Sequence, residues 1–251
     1  YIASGSQVIT SNSYAVVPFH IGEQRFATEG RALAERAGQL ARRAADKADA
    51  AVRVAGSLPP LFGSYRPDLF EPARVSEVLT PLLDGLAPYV DLWLAETQSA
   101  IAEARAIHGH LPKDGKPFWL SFTLRDEDTD EVPRLRSGEP VADAARAAAE
   151  LGVEVLLFNC SQPEVIGDAI DVARDTFASL GVDVAIGAYA NAFPPQPEEA
   201  TANDGLDPLR EDLDPPGYLR WVADWRARGA SHLGGCCGIG PEHIAVLAQR
   251  L

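Results

Sequence analysis

Val153-Glu154-Val155-Leu156-Leu157-Phe158-Asn159-Cys160 is the stretch on which the fold is decided. Apart from Glu154 it is continuously apolar up to Asn159 and rich in branched side chains. It does not alternate as a half-solvated strand would, and such a run marks a parallel strand covered on both faces. A parallel strand reaches its neighbour only through a long crossover, usually a helix. The stretch from Glu164 to Leu180 supplies one immediately downstream.

The same unit recurs on either side. Upstream lie the runs Gln7 to Asn12, Ala51 to Ser57 (closed by Pro59-Pro60), Asp91 to Thr97 and Pro117 to Leu124. Their helical stretches are Glu23 to Asp49, Val75 to Leu86, Ser99 to His108 and Val141 to Leu151. Val75, Val78, Leu79, Leu82 and Leu83 fall at the i, i+3, i+4, i+7 spacing of one helix face. Downstream come Asp183 to Tyr189, a Pro- and acid-rich loop, and a helix from Tyr218 to Arg228. Ser231 to Leu233 then runs into Gly234-Gly235-Cys236-Cys237-Gly238 and the final helix, Pro241 to Leu251.

Seven βα units spaced by roughly 30 to 40 residues have the rhythm of consecutive parallel βαβ units. No Gly-x-Gly-x-x-Gly turn follows any strand, so a dinucleotide-binding open sheet is disfavoured. Residues Tyr1 to Ser6 read as the tail of a helix, and methionine is absent even at position 1. The expectation is one α/β domain over residues 1–251: a (β/α)8 TIM barrel whose first strand precedes Tyr1. A barrel short of one strand would expose two long edges.

Acidic side chains outnumber basic ones 36 to 22 among 251 residues, for a formal charge of −14. Without a Lys/Arg run, this argues against nucleic-acid and anionic-membrane partners. No apolar run approaches a spanning helix, and no signal peptide is visible, so a soluble cytoplasmic protein is expected. The acidic loops 126–131 and 198–214 read as solvated surface, with attraction of a cationic ligand as the alternative.

Active groups of such barrels sit at the carboxyl ends of the strands, and all three cysteines fall there. Cys160 closes one strand and Cys236-Cys237 follow another two units on, so their sulfurs could converge. Adjacent residues point to opposite faces of a strand. Sharing one ion therefore requires the sharp bend that Gly234, Gly235 and Gly238 permit. Three thiolates with an open fourth position describe a catalytic Zn²⁺ site. Coordination would deprotonate a further thiol and ready it to accept an alkyl group. A disulfide framework fits an odd, partly adjacent set poorly; core packing and a vicinal Cys236–Cys237 redox pair are the alternatives.

Asn159-Cys160-Ser161 together with Gly-Gly-Cys-Cys-Gly-Ile-Gly-Pro-Glu-His-Ile (234–244) resembles the homocysteine S-methyltransferases. Ile9-Thr10-Ser11-Asn12-Ser13-Tyr14, Ala55-Gly56-Ser57-Leu58-Pro59-Pro60, Leu94-Ala95-Glu96-Thr97 and Gly187-Ala188-Tyr189-Ala190-Asn191 resemble the family in the same order along the chain. The resemblance implies zinc on Cys160, Cys236 and Cys237, and homocysteine as methyl acceptor. It further implies that Glu96 holds the acceptor's ammonium and that Asn12, Tyr14 and Asn159 line the substrate pocket, local loop hydrogen bonding being the alternative for these three. The family's opening strand ends in Asp-Gly-Gly, which nothing here matches; it is expected upstream.

The expected reaction is methyl transfer to homocysteine, giving methionine, from a sulfonium donor such as S-methylmethionine, with betaine as second choice. The competing expectation is a non-catalytic zinc- or thiol-binding barrel used for metal buffering or redox sensing. Among the histidines, only His232 stands where it could orient a ligand, and a packed or solvated imidazole is the simpler reading.

Overall fold

The computed structural model describes residues 1–127, 132–194 and 208–251. Seven parallel strands follow one another in chain order: β1 (Val8–Thr10), β2 (Arg53–Leu58), β3 (Leu92–Gln98), β4 (Phe118–Phe122), β5 (Val155–Asn159), β6 (Ala185–Tyr189) and β7 (His232–Leu233). Each pairs with the next, and the sheet curls into a half-barrel in which the described residues form no β1–β7 pairing. The helices are α1 (Pro18–Ile21), α2 (Glu23–Asp46), α3 (Val75–Leu86), α4 (Ile101–His110), α5 (Val141–Glu150), α6 (Pro163–Leu180), α7 (Pro215–Ala227) and α8 (Pro241–Arg250). α3 begins and ends where its apolar stripe does. Residues 2–4, read from the sequence as the tail of a helix, form a 3₁₀ turn closed by Gly5 at φ 105°.

Strand periodicity sorts the side chains into two cores. Trp93, Ala95, Leu120, Phe122, Leu156 and Phe158 face outward into the large core beneath the helices. Ala55, Leu92, Leu94, Trp119, Val155 and Leu157 face inward and pack as a smaller cluster with Val8, Ala185 and Tyr189. The inward set alternates with the outward set, so burial on both faces explains why these runs lack polar alternation.

Of the acidic loops, residues 128–131 and 198–207 lie outside the described residues. Asp126 departs from the solvated surface expected of it: it is buried and paired with Arg136 at 2.7 Å. His232 also lies away from the cysteines. Its ring packs edge-on against Trp119, 4.8 Å between centroids. Trp119 in turn carries Arg53 over its face and bonds Glu154, residues at the amino ends of β2 and β5. His232 thus belongs to the end of the half-barrel opposite the sulfurs. Among the described residues no helix is long and apolar enough to cross a membrane.

Candidate metal and substrate site

The inward faces of the strands carry the site. Two residues beyond the apolar layer, towards the carboxyl ends, β2 to β6 each present an inward polar side chain or tyrosine: Ser57, Glu96, Ser121, Asn159 and Tyr189. These five form one hydrogen-bonded layer. Ser57 Oγ donates to Glu96 Oε1 and Tyr189 Oη to Glu96 Oε2, the latter at 3.4 Å. Ser121 Oγ donates to Asn159 Oδ1 at 2.6 Å. Burial pushes the Glu96 carboxyl up from its ordinary range, and the Ser57 and Tyr189 hydroxyls draw it partly back. The Tyr189 hydroxyl is held neutral, first by burial and then by the Glu96 charge.

An irregularity in β3 lies directly beside Glu96. The β3–β4 register shifts between Ala95 and Gln98, and Thr97 takes a φ of 60°. Bulges of this kind re-aim side chains beside active sites. Asn159 fixes the bulge: its Oδ1 accepts from Thr97 N at 3.0 Å and its Nδ2 donates to Thr97 Oγ1 at 2.8 Å. Its amide is thus spent largely on bracing β3 against β5.

Cys160 follows directly. Continued alternation would turn its side chain outward with Phe158, but a φ of 51° breaks the strand and swings it towards β7. The glycine-rich turn comes to meet it. Gly234 N and Cys236 N donate to Ala188 O and Ala190 O at 3.0 and 2.9 Å. Gly238, at φ 80°, closes the turn in a conformation that costs a residue with Cβ. Residues 190–192 run between the two sulfur-bearing segments, with Asn191 N on Ser161 O and Ala192 N on Cys237 O.

The three sulfurs lie within 4.8 Å of one another, graded from buried Cys160 to exposed Cys237. Cys160 and Cys236 are joined as a disulfide with Cα atoms 5.9 Å apart, and Cys237 is free, its sulfur 4.0 Å from that of Cys236. This corrects the dismissal of disulfides made on the odd cysteine count, and the pair is long-range, not vicinal. Cys237 keeps an open face, yet the surrounding protein raises its thiol and the Glu96 charge adds to that.

The donor set fits a soft divalent ion. Sulfurs each about 2.3 Å from a tetrahedral centre sit about 3.8 Å apart, close to the 4.0 Å between the Cys236 and Cys237 sulfurs, and three thiols favour soft ions such as zinc over hard cations. Reduction of the Cys160–Cys236 bridge is the condition for all three to ligate together.

Of the other expected pocket residues, Tyr14 reaches the site. Its hydroxyl bonds Ser64 Oγ at 2.7 Å and is pushed up by burial, with Thr97 and Glu96 among its neighbours. Asn12 is exposed in the β1–α1 connection. Its neighbours are the braces: Ser11 Oγ accepts from Ser57 N at 3.0 Å and Ser13 Oγ donates to Ser57 O at 2.9 Å. Sequence reasoning gave no role to Ser57, Ser121, Tyr189 or Tyr65. An inward polar residue ending an otherwise apolar strand is the signal that would have found the first three.

The structure thus places three sulfurs that could hold a metal ion, and a buried carboxylate, at the carboxyl ends of a curled parallel half-barrel of the TIM type. The model of the homocysteine S-methyltransferase family matches residues 1–251, and the chain belongs to that family. Betaine–homocysteine S-methyltransferase 1 of Mus musculus is 25% identical over 96% of this chain and 61% of its own length. The chain therefore spans about three fifths of that relative. The homocysteine methyltransferase MmuM from Escherichia coli, in its metallated form, superposes with a TM-score of 0.74 at 25% identity, covering 100% of this chain and 82% of that one. Its oxidized form gives 0.74 at 23% identity, over 99% and 81% of the two chains.

Proposed function

We propose that this protein is a zinc-dependent homocysteine S-methyltransferase, forming methionine from homocysteine and a sulfonium donor of the S-methylmethionine type. The observation that carries the reading is the convergence of Cys160, Cys236 and Cys237 within 4.8 Å at the mouth that also holds Glu96. In this reading residues 1–251 are a single domain, and an eighth strand between β1 and β7 closes a full (β/α)8 barrel.

Cys160, Cys236 and Cys237 would hold the ion. A zinc ion there supplies a Lewis acid able to keep an additional thiol deprotonated at neutral pH. Glu96, oriented by Ser57 and Tyr189, binds the ammonium of the acceptor amino acid and so aims its sulfur at the cluster. Tyr14 borders the same pocket, and Asn159 positions Glu96 and Cys160 through Thr97. Asn12 contributes only to the loop that carries Ser11 and Ser13. The acceptor sulfur forms a bond to the methyl carbon as the donor's carbon–sulfur bond breaks. The electron pair stays with the departing sulfur, giving two neutral thioethers and releasing the acceptor's thiol proton to solvent.

Betaine is the second donor, favoured by the betaine-using relative that matches nearly all of this chain. The test is to incubate the reduced, zinc-supplemented protein with homocysteine and each donor in turn while following methionine. The reading expects turnover with at least one donor and none in Cys236→Ala. Full turnover in that variant would overturn it.

A further inference from the structure

We propose that the buried ion pair Asp126–Arg136 is a positioning pair for the sulfur site, holding Cys160 in the turn from which its Sγ meets Cys236 and Cys237. The proposal rests on the reading of those sulfurs as one functional cluster.

Cys160 is a non-glycine residue at φ 51°, a conformation that persists only where the surroundings impose it. On its amino side Asn159 is fixed by Thr97 and Ser121. On its carboxyl side residues 191–193 hold Ser161 and the Gln162 side chain, and three further restraints come from one short segment after β4, residues 123–126. Thr123 Oγ1 donates to Cys160 O at 3.4 Å, and Leu124 N donates to Ser161 Oγ at 2.8 Å. Asp126 Oδ2 accepts from Gln162 N at 3.0 Å.

That segment is anchored by Arg136. Its Nη2 donates to Asp126 Oδ1 at 2.7 Å, and its backbone N donates to Thr123 O at 3.3 Å. The Asp126 and Arg136 side chains are 0% and 3% exposed. The guanidinium also lies 5.2 Å from the centre of the Tyr65 ring. Tyr65 is itself left-handed at φ 64°. Burial and then the Cys237 sulfur push its hydroxyl up while Arg136 draws it back. Arg136 therefore touches both halves of the cluster: the Cys160 turn through Asp126, and the surroundings of Cys237 through Tyr65. A buried ion pair seldom improves on apolar packing for stability, whereas shells behind metal ligands set ligand orientation and affinity.

The test compares Asp126→Asn, Arg136→Lys and the control Glu127→Gln, which alters a more exposed ion pair of Arg136 but spares Gln162. Two readouts are taken on folded protein. One is cobalt(II) affinity under reducing conditions, with the intensity of the thiolate-to-cobalt charge-transfer band. The other, on metal-free protein, is the Cys160–Cys236 disulfide equilibrium in a reduced/oxidised glutathione buffer. Asp126→Asn is expected to weaken cobalt binding about 10- to 100-fold with a fainter band, and to lower the disulfide equilibrium constant about tenfold. Arg136→Lys should move both the same way by less, and Glu127→Gln neither. Asp126→Asn matching wild type in both readouts overturns the proposal; should that variant fail to fold, an unaltered Arg136→Lys does so. Should wild type take up no cobalt, the metal reading fails and the glutathione equilibrium alone decides the positioning role.

Discussion

Asn159 and Thr97 are joined by two hydrogen bonds, Thr97 N to Asn159 Oδ1 at 3.0 Å and Asn159 Nδ2 to Thr97 Oγ1 at 2.8 Å. One residue follows Glu96 and the other precedes Cys160. A single buried amide thus ties the proposed ammonium-binding carboxylate to the first sulfur of the cluster, across β3 and β5.

Asn159→Ala strands the buried Thr97 amide and removes the acceptor of the Ser121 hydroxyl. Each orphaned polar group costs about 1–3 kcal/mol, and the variant should lose about 3 kcal/mol of stability in urea unfolding. A loss below about 1 kcal/mol, within the range of an ordinary surface change, would mean the brace is dispensable.

Glu96→Gln keeps the shape of the site and removes its charge. A hydrogen bond to a charged group contributes about 1.5–3 kcal/mol, so KM for homocysteine should rise about 100-fold. Ser57→Ala and Tyr189→Phe, which remove donors that orient Glu96, should each raise it about tenfold. Steady-state kinetics in varied homocysteine decides the matter, and an unchanged KM in Glu96→Gln contradicts the assignment.

Glu103 makes stability depend on pH. Its carboxylate caps α4, accepting from Ser99 N at 2.6 Å and Ala100 N at 2.9 Å, and burial pushes its pKa up to about 7 against those bonds, with Glu139 adding to the rise. Because the folded pKa lies above the unfolded one, the folded state holds the proton more tightly. The group's contribution is therefore complete below about pH 4.3 and is lost as pH rises to about 7, by at most about 3 kcal/mol. Urea midpoints at pH 5 and pH 7 should diverge more in wild type than in Glu103→Gln; equal divergence would contradict this.

The Cys160–Cys236 bridge competes with metal uptake. Protein denatured without reductant should titrate one free thiol, and reduced protein three. Zinc should bind only the latter, with about one ion per chain. Stoichiometric zinc on the bridged form would break the link between the two states.

Much of this was legible in the chain. The strand runs and the helix 75–86 followed from periodicity and burial on both faces. The three-sulfur site followed from glycines that let Cys236 and Cys237 leave strand alternation. The rest depended on register and long-range pairing. Ser57 and Ser121 look unremarkable until alternation against Ala55 and Trp119 places them on the inner face beside Glu96 and Asn159. The bridge from Cys160 to Cys236, the bulge beside Glu96, and the burial of Asp126 against Arg136 arise only when distant segments meet.

The most direct test of the central claim is X-ray absorption at the zinc edge of reduced, zinc-loaded protein, before and after homocysteine is added. Three sulfur scatterers per zinc at about 2.3 Å, becoming four with the acceptor, is the predicted result. Fewer than three before addition, or no gain after it, would contradict the account.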